Sequence, residues 1–166
     1  MTMISHLTKM AHYNCWANEK VATWLVEAGD EVCNAAMISS FNNIRLTAQH
    51  IYDAETVWIM RLTGLQLKSW PPSADFNFGI EVFKNIWISN SNELLQMVLS
   101  FSESDLSSLR QYPTIKNDGT YSSLVADMLM HCFNHSTYHR GQIVAMLRQQ
   151  GFDKVESTDF ITFTRL

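Results

Sequence analysis

The stretch 131-HCFNHSTYHRGQI-143 places three of the chain's six histidines four residues apart, in a segment with no proline and no helix stop. An α-helix turns about 100° per residue. With His131 at the origin, His135 lies at about 40° and His139 at about 80°, and Leu124, Met128, Gln142 and Met146 fall in the same arc. The spacing therefore predicts a helix whose histidines sit on an apolar, core-facing stripe. A buried imidazole carries a donor and an acceptor, each costly to leave unpaired, and burial disfavours its charged form. Either the three rings find three separate hydrogen-bond partners, or their neutral nitrogens serve a transition metal ion. Two histidines at i and i+4 on one helix can reach a single ion, as in the zinc-protease helix signature.

Outward from this helix, the chain reads as three more. The first spans 3 to about 28, with Leu7, Met10, Tyr13, Ala17, Trp24 and Ala28 at helical steps and Gly29-Asp30 as its stop. Ser40 is the expected N-cap of the second, which runs to Leu62 or Thr63 and stops at Gly64. The loop 64-GLQLKSWPPSADFNFG-79 is broken by Pro71-Pro72. The third helix runs from about Ile80 to Phe101, with Val82, Phe83, Ile86, Asn90, Leu94, Met97 and Phe101 on its inner side. Residues 102–119 read as non-helical. Arg110–Thr114 and Thr120–Ser122 flank the turn signal 116-KNDG-119, a hairpin that Pro113 confines to an edge. The histidine helix then runs from about Ser122 to Gln150, stopped by Gly151, and 160-FITF-163 is expected to pack back as a strand or single turn. Four long amphipathic segments predict an all-α, antiparallel four-helix bundle, a single domain over 1–166 with its ligand site between facing helices.

A chain of 166 residues buries a sizeable core without disulfides. A net charge of −4, with no run of Lys or Arg, argues against nucleic acid and against a membrane surface. Cys15, Cys33 and Cys132 are odd in number and lack C-x-x-C spacing, which points to a reducing, cytoplasmic home. No signal peptide or membrane span is evident. The second helix turns Asn43, Thr47, His50, Ala54, Val57 and Trp58 inward, so His50 joins a core stripe. His6 and His12 lie on different sides of the first helix and read as surface residues.

Three segments together carry a resemblance: 13-YNCWANEKV-21, 40-SFNNIRLTAQHIYDAETVWIMRLTG-64 and 131-HCFNHSTYHRGQI-143. With the closing Asp159-Phe160, the chain resembles the DinB-like (YfiT-like) metal-binding four-helix bundles over nearly its whole length. The resemblance implies a three-histidine metal site at His50, His135 and His139, with His131 as an extra histidine lining the pocket. Gln142 is expected either to orient a ligand or to bond a neighbouring helix. Arg140, at about 180°, reads as structural, paired with an acidic residue of the tail. Gly141 would allow close helix approach, and Asn134 would fix a histidine or cap a backbone group. Tyr13, Trp16 and Trp58 read as core or pocket wall, and Tyr138 as the edge of the pocket.

Three histidines leave a coordination position open for water or substrate, and the ion would be zinc, nickel or iron. The resemblance further implies a small-molecule substrate, a homodimer and, from several similar proteins, thiol S-transfer with bacillithiol or mycothiol. The alternatives are a metal-dependent hydrolase and a non-enzymatic, stress-inducible metal-binding protein. A haem bundle would need wider ligand separation than i, i+4 on one helix. The sequence holds no Ser/His/Asp set and no Gly-rich phosphate loop.

Overall fold

A computed structural model describes residues 2–66, 69–116 and 118–166. Four long helices dominate: α1 (Met3–Asn34), α2 (Ile44–Thr63), α3 (Ile80–Ser100) and α5 (Val125–Gln149). Between the last two lie a one-turn helix, α4 (Glu103–Leu106), and an antiparallel hairpin, β1 (Leu109–Pro113) with β2 (Thr120–Leu124), in which Tyr112 faces Tyr121. The single turn α6 (Phe160–Phe163) follows, its Phe160 and Phe163 rings against Tyr13. Helices α1 and α2 each pack against both α3 and α5. The ring order is therefore α1–α3–α2–α5, the all-α four-helix bundle expected.

The core falls into two apolar clusters. One takes Leu25 of α1, Ile51 of α2, Phe83 and Trp87 of α3, and Ile143 of α5. The other takes Leu7, Ile59, Leu94 and Leu129 of the same four helices. Chain order through the clusters sets direction: α1 is antiparallel to α3, α2 is antiparallel to α5, and α2 runs with α3. The connection 64–79 must therefore return the length of a helix. It is pinned on the way by Asp53, whose carboxylate accepts from the backbone N–H and the hydroxyl of Ser73 at 2.7 and 2.8 Å. Its Phe76 packs, partly buried, against the core beside Tyr52, Phe78 and Phe83.

The helix ends differ from the sequence reading in instructive ways. Gly29 does break α1, with φ 85° and ψ 165°, but helix resumes beyond it to Asn34. The break serves α3: Asp30 Oδ1 accepts from Ile80 N–H at 3.0 Å, capping a helix whose own N-cap, Gly79, has no side chain to do so. The N-cap of α2 is Asn43 rather than Ser40, its Oδ1 accepting from Leu46 N–H at 2.8 Å. Gly64 ends α2 in the left-handed region at φ 76°, as expected. The interval 102–119 contains α4, whose Ser102–Asp105 capping box overrides the non-helical reading. The hairpin claims residues through Leu124, so α5 starts at Val125 rather than Ser122. Asn117 of the 116–119 turn lies outside the described residues. On α3 the buried face is Phe83, Trp87, Ser91, Leu94 and Val98, whereas Val82 is half-exposed. Among the described residues no helix is long and apolar enough to cross a membrane.

The cap assignment has a direct check. Asn43→Ala should cost about 1 kcal/mol of stability, the usual worth of an N-cap side chain, while Ser40→Ala should leave the urea midpoint in place. The reverse order would return the cap to Ser40.

Candidate metal centre

The buried face of α5 is centred on Cys132, Ser136 and Ile143, with Arg140 at one side and His139 at the other. The histidine stripe approaches this face from its edge. His131 is exposed, His135 is half-buried and His139 is only 6% exposed. Leu124, assigned to the same inward arc, is 38% exposed. The arc is displaced because α5 must face α1 as well as α2.

Across the α2–α5 seam, His50 meets the two deeper histidines. Its Nε2 lies 3.0 Å from Nε2 of His135. The ring centroids are 4.8 Å apart for His50–His135, 4.7 Å for His50–His139 and 4.4 Å for His135–His139. One nitrogen from each ring can be chosen so that all three lie within 4.8 Å of one another. Two nitrogens on a tetrahedral zinc, each at about 2.0–2.1 Å, stand roughly 3.3 Å apart, so the closest pair already has the spacing of co-ligands. The donor set fits in tautomer as well. His139 Nδ1 lies 2.7 Å from Oε1 of Gln142. An amide oxygen only accepts, so Nδ1 carries the hydrogen and Nε2 keeps its lone pair. Gln142 is itself held by Ser40, to which its Nε2 donates at 3.2 Å. Gln142 thus orients one of the clustered histidine rings, and its tie to Ser40 reaches the α1–α2 connection rather than a neighbouring helix. The Phe41 ring lies 4.4 Å from His50 and 5.8 Å from His139, a neighbour that sequence spacing gave no sign of.

Electrostatics keep these rings neutral. Burial, and then the neighbouring His139, lower His50 to about 4. Burial, and then His139, His50 and His131, lower His135 to about 3. Burial also lowers His139, opposed by the Gln142 hydrogen bond. At neutral pH the cluster offers lone pairs rather than positive charge. These shifts make metal-free stability depend on pH. Above the ordinary histidine value of 6.5, neither state takes up protons at these sites. Below it the unfolded chain protonates first, so stability falls as pH drops from 6.5 towards 4. Asp53 opposes this: burial raises it to about 6, so its contribution is lost as pH rises from 3.8 through 6. The diagnostic is therefore a difference. Between pH 6.5 and 4, the urea midpoint of metal-free wild type should fall more steeply than that of metal-free His50→Gln. Parallel curves would show that His50 is not the buried neutral group described.

The remaining sequence candidates sort cleanly. His6 and His12 are exposed, as expected. Arg140 points into the core rather than away from it, at 2% exposure, and its partners are not in the tail. Its Nη1 donates to Oδ1 of Asn14 at 2.7 Å and of Asn18 at 2.8 Å, and its Nη2 to Thr137. The amide nitrogens of Asn14 and Asn18 donate to Oε1 of Glu55 at 2.7 and 2.8 Å, and Ser91 donates to Oε2 at 2.8 Å. This layer, which sequence reasoning missed, separates the two apolar clusters and ties together all four long helices. Its signal was Asn14 and Asn18, i and i+4 on the apolar side of the first helix. Gly141 is exposed, and a side chain there would meet nothing within 4 Å, so it does not mark a close approach. Asn134 is exposed and makes no side-chain hydrogen bond among the described residues. Tyr13 is core: its hydroxyl donates to the Thr158 carbonyl at 2.8 Å. Trp16 is half-buried against Phe163.

A cavity of about 140 Å³ opens beside the cluster, lined by His50, His135, His131, Trp58, Trp70 and Arg61, among others. His131 is thus a pocket residue, its ring 5.0 Å from that of Trp58. Tyr138, 63% exposed, flanks His139 from outside and does not line this cavity.

Fold and site together define a four-helix-bundle protein with a three-histidine cluster able to hold a metal ion at a cleft. Comparison with known proteins agrees: the model of the DinB family matches residues 3–166, and the chain belongs to that family. It is 28% identical over 152 residues to the protein DinB of Bacillus subtilis strain 168, covering 87% of this chain and 86% of that one. The crystal structure of a DinB-like protein from Bacillus cereus ATCC 10987 superposes with a TM-score of 0.69 at 18% identity, over 88% of this chain and 91% of that one.

Proposed function

We propose that His50, His135 and His139 bind one divalent transition ion, and that the protein is a metal-dependent thiol S-transferase of the bacillithiol type, acting in detoxification or stress response. The observation that carries this reading is a cluster of neutral imidazoles standing at an open cleft rather than sealed in the core. Held by His50, His135 and His139, such an ion would supply Lewis-acid chemistry that favours the ionised form of a thiol, whose free pKa is about 8.5. The protein supplies the rest. Gln142 holds the proton on His139 Nδ1 and so fixes which nitrogen faces the cluster. Trp58 and Trp70 wall the cleft and limit water beside the reacting atoms. The sulfur's electron pair forms the new bond to carbon, the leaving group departs with the pair of the broken bond, and the thiol proton goes to solvent.

The chain's own cysteines do not supply the nucleophile. Burial pushes Cys15 and Cys33 up to about 12 and raises Cys132 well above the ordinary thiol value, which leaves all three protonated. The thiol of this reading, which the family resemblance supplies, is therefore an external one. The test supplies bacillithiol and other small thiols with a chromogenic electrophile to metal-loaded wild type and to His50→Ala. Turnover by wild type at least tenfold above the variant is expected, the scale of one catalytic interaction. If no thiol gives turnover above the variant while wild type is fully loaded, the protein is better read as a non-catalytic metal-binding protein.

A further inference from the structure

We propose that the groove running from the histidine cluster into the cleft between α2 and the β1–β2 hairpin binds the carboxylate-bearing tail of the small molecule whose other end reaches the histidines, and that Arg61 is the residue recognising that carboxylate. The inference rests on the functional reading above and specifies the class of its ligand: an extended, anionic small molecule.

The groove is longer than the cavity at the histidines. That cavity shares Trp58, Arg61 and Ile115 with a second one of about 400 Å³, lined also by Tyr112, Lys116 and Asp118. Arg61 stands eleven residues after His50 on α2. Eleven helical steps return to within about 20° of the same face and rise roughly 16 Å. Helical side chains lean towards the N-terminus, so the Arg61 stem leans back towards His50. An occupant that touches both must be an extended molecule.

Arg61 is prepared for an anion. Its guanidinium carbon lies 4.6 Å from the Trp58 ring centroid and 4.7 Å from that of Tyr112. The two ring centroids are only 5.6 Å apart, so both rings lie to one side of the guanidinium and leave the other side for polar contacts. Of five N–H donors, one makes a long contact of 3.4 Å to the Pro113 carbonyl. No carboxylate lies within ion-pair distance of Arg61 among the described residues, where the pairs are Lys20–Glu156 and Arg45–Asp30. Lys116 adds a second cation to the lining, and Asp118 is the one carboxylate there, held by the Thr114 hydroxyl at 2.5 Å. Among the described residues the wall thus carries one more positive than negative charge, at the end remote from the histidines. Bracing the hairpin against Trp58 explains the packing of Arg61, but it leaves all but one of the N–H donors without a partner among the described residues. A planar fork packed against aromatic rings, with most of its N–H donors unengaged, is suited to a carboxylate.

Calorimetry on the zinc-loaded protein tests this with three probes. Glutathione carries a thiol and carboxylates, S-methylglutathione carries the carboxylates alone, and glutathione diethyl ester carries the thiol with both carboxylates masked. Both acids should bind Arg61→Gln at least tenfold more weakly than wild type, while the diester binds the two proteins alike; one charge-assisted hydrogen bond is worth that much. Arg61→Lys, which keeps the charge and the stem, should recover part of the acids' affinity. The proposal is overturned if Arg61→Gln binds the acids as wild type does, if wild type binds the diester as tightly as the acids, if it binds neither acid, or if Arg61→Lys recovers nothing. Failure of the thiol reading looks different. S-methylglutathione would then match glutathione, with or without zinc, while the dependence on Arg61 persists.

Discussion

Glu55→Leu is expected to lower stability by about 3–5 kcal/mol, the cost of leaving one member of a buried charged pair uncompensated. At about 2–4 °C per kcal/mol for a chain of this size, the melting temperature should fall by roughly 10 °C or more. Glu55 is fully buried and accepts from Asn14, Asn18 and Ser91 in short hydrogen bonds, with Ser136 adding a longer one at 3.3 Å. The two asparagines then turn their carbonyl oxygens to Arg140. Deleting the carboxylate strands four donors and leaves the Arg140 cation in the core without its counter-charge. Arg140→Met should be comparably damaging. Combining the two should cost less than the sum of the singles, because the second substitution removes the charge that the first had stranded. The double variant still has two asparagines to satisfy, so recovery is partial. Singles within about 1 kcal/mol of wild type, a typical point-mutant value, would mean that the apolar clusters alone hold the helices in register.

The bundle and the histidine cluster were both legible in the sequence, for the same reason. Four segments carry a helical period, and turning that period into angles places His131, His135 and His139 on one stripe and His50 on a core stripe of its own helix, while the choice of the two that join His50 came from the family resemblance. What was not legible is where each buried arc is centred. On α5 the assumed centre was the histidine stripe itself, whereas the true centre lies nearer Ser136, because the helix packs against α1 as well as α2. That displacement leaves His131 exposed and draws Arg140 inward. The Glu55 layer was hidden more deeply. Asparagine, glutamate and arginine read singly as surface residues, and their burial is tolerable only when all are present at one level of the bundle. Ser40 and Asn43 are equally good cap types, and the choice between them fell to tertiary structure, since Ser40 is engaged by Gln142.

Metal retention is the second large effect. His139→Ala removes the proposed ligand whose tautomer Gln142 fixes, and His135→Ala removes the nitrogen 3.0 Å from His50. Either change should abolish most of the bound ion at micromolar protein, since two imidazoles rarely suffice where three made the site. His131→Ala should have a small or intermediate effect, because that ring lines the cleft outside the cluster. If it stripped the ion as completely as His135→Ala, the ligand pair on α5 would be misassigned.

The most direct measurement is elemental analysis of protein loaded with zinc or nickel and then passed through a desalting column, for wild type, His139→Ala and His12→Ala. His12 is exposed on α1 and stands outside the cluster. Wild type and His12→Ala should each retain about one ion per chain, the stoichiometry of a single three-histidine site, and His139→Ala should retain close to none. Equal retention by His139→Ala and His12→Ala would contradict a metal centre at His50, His135 and His139.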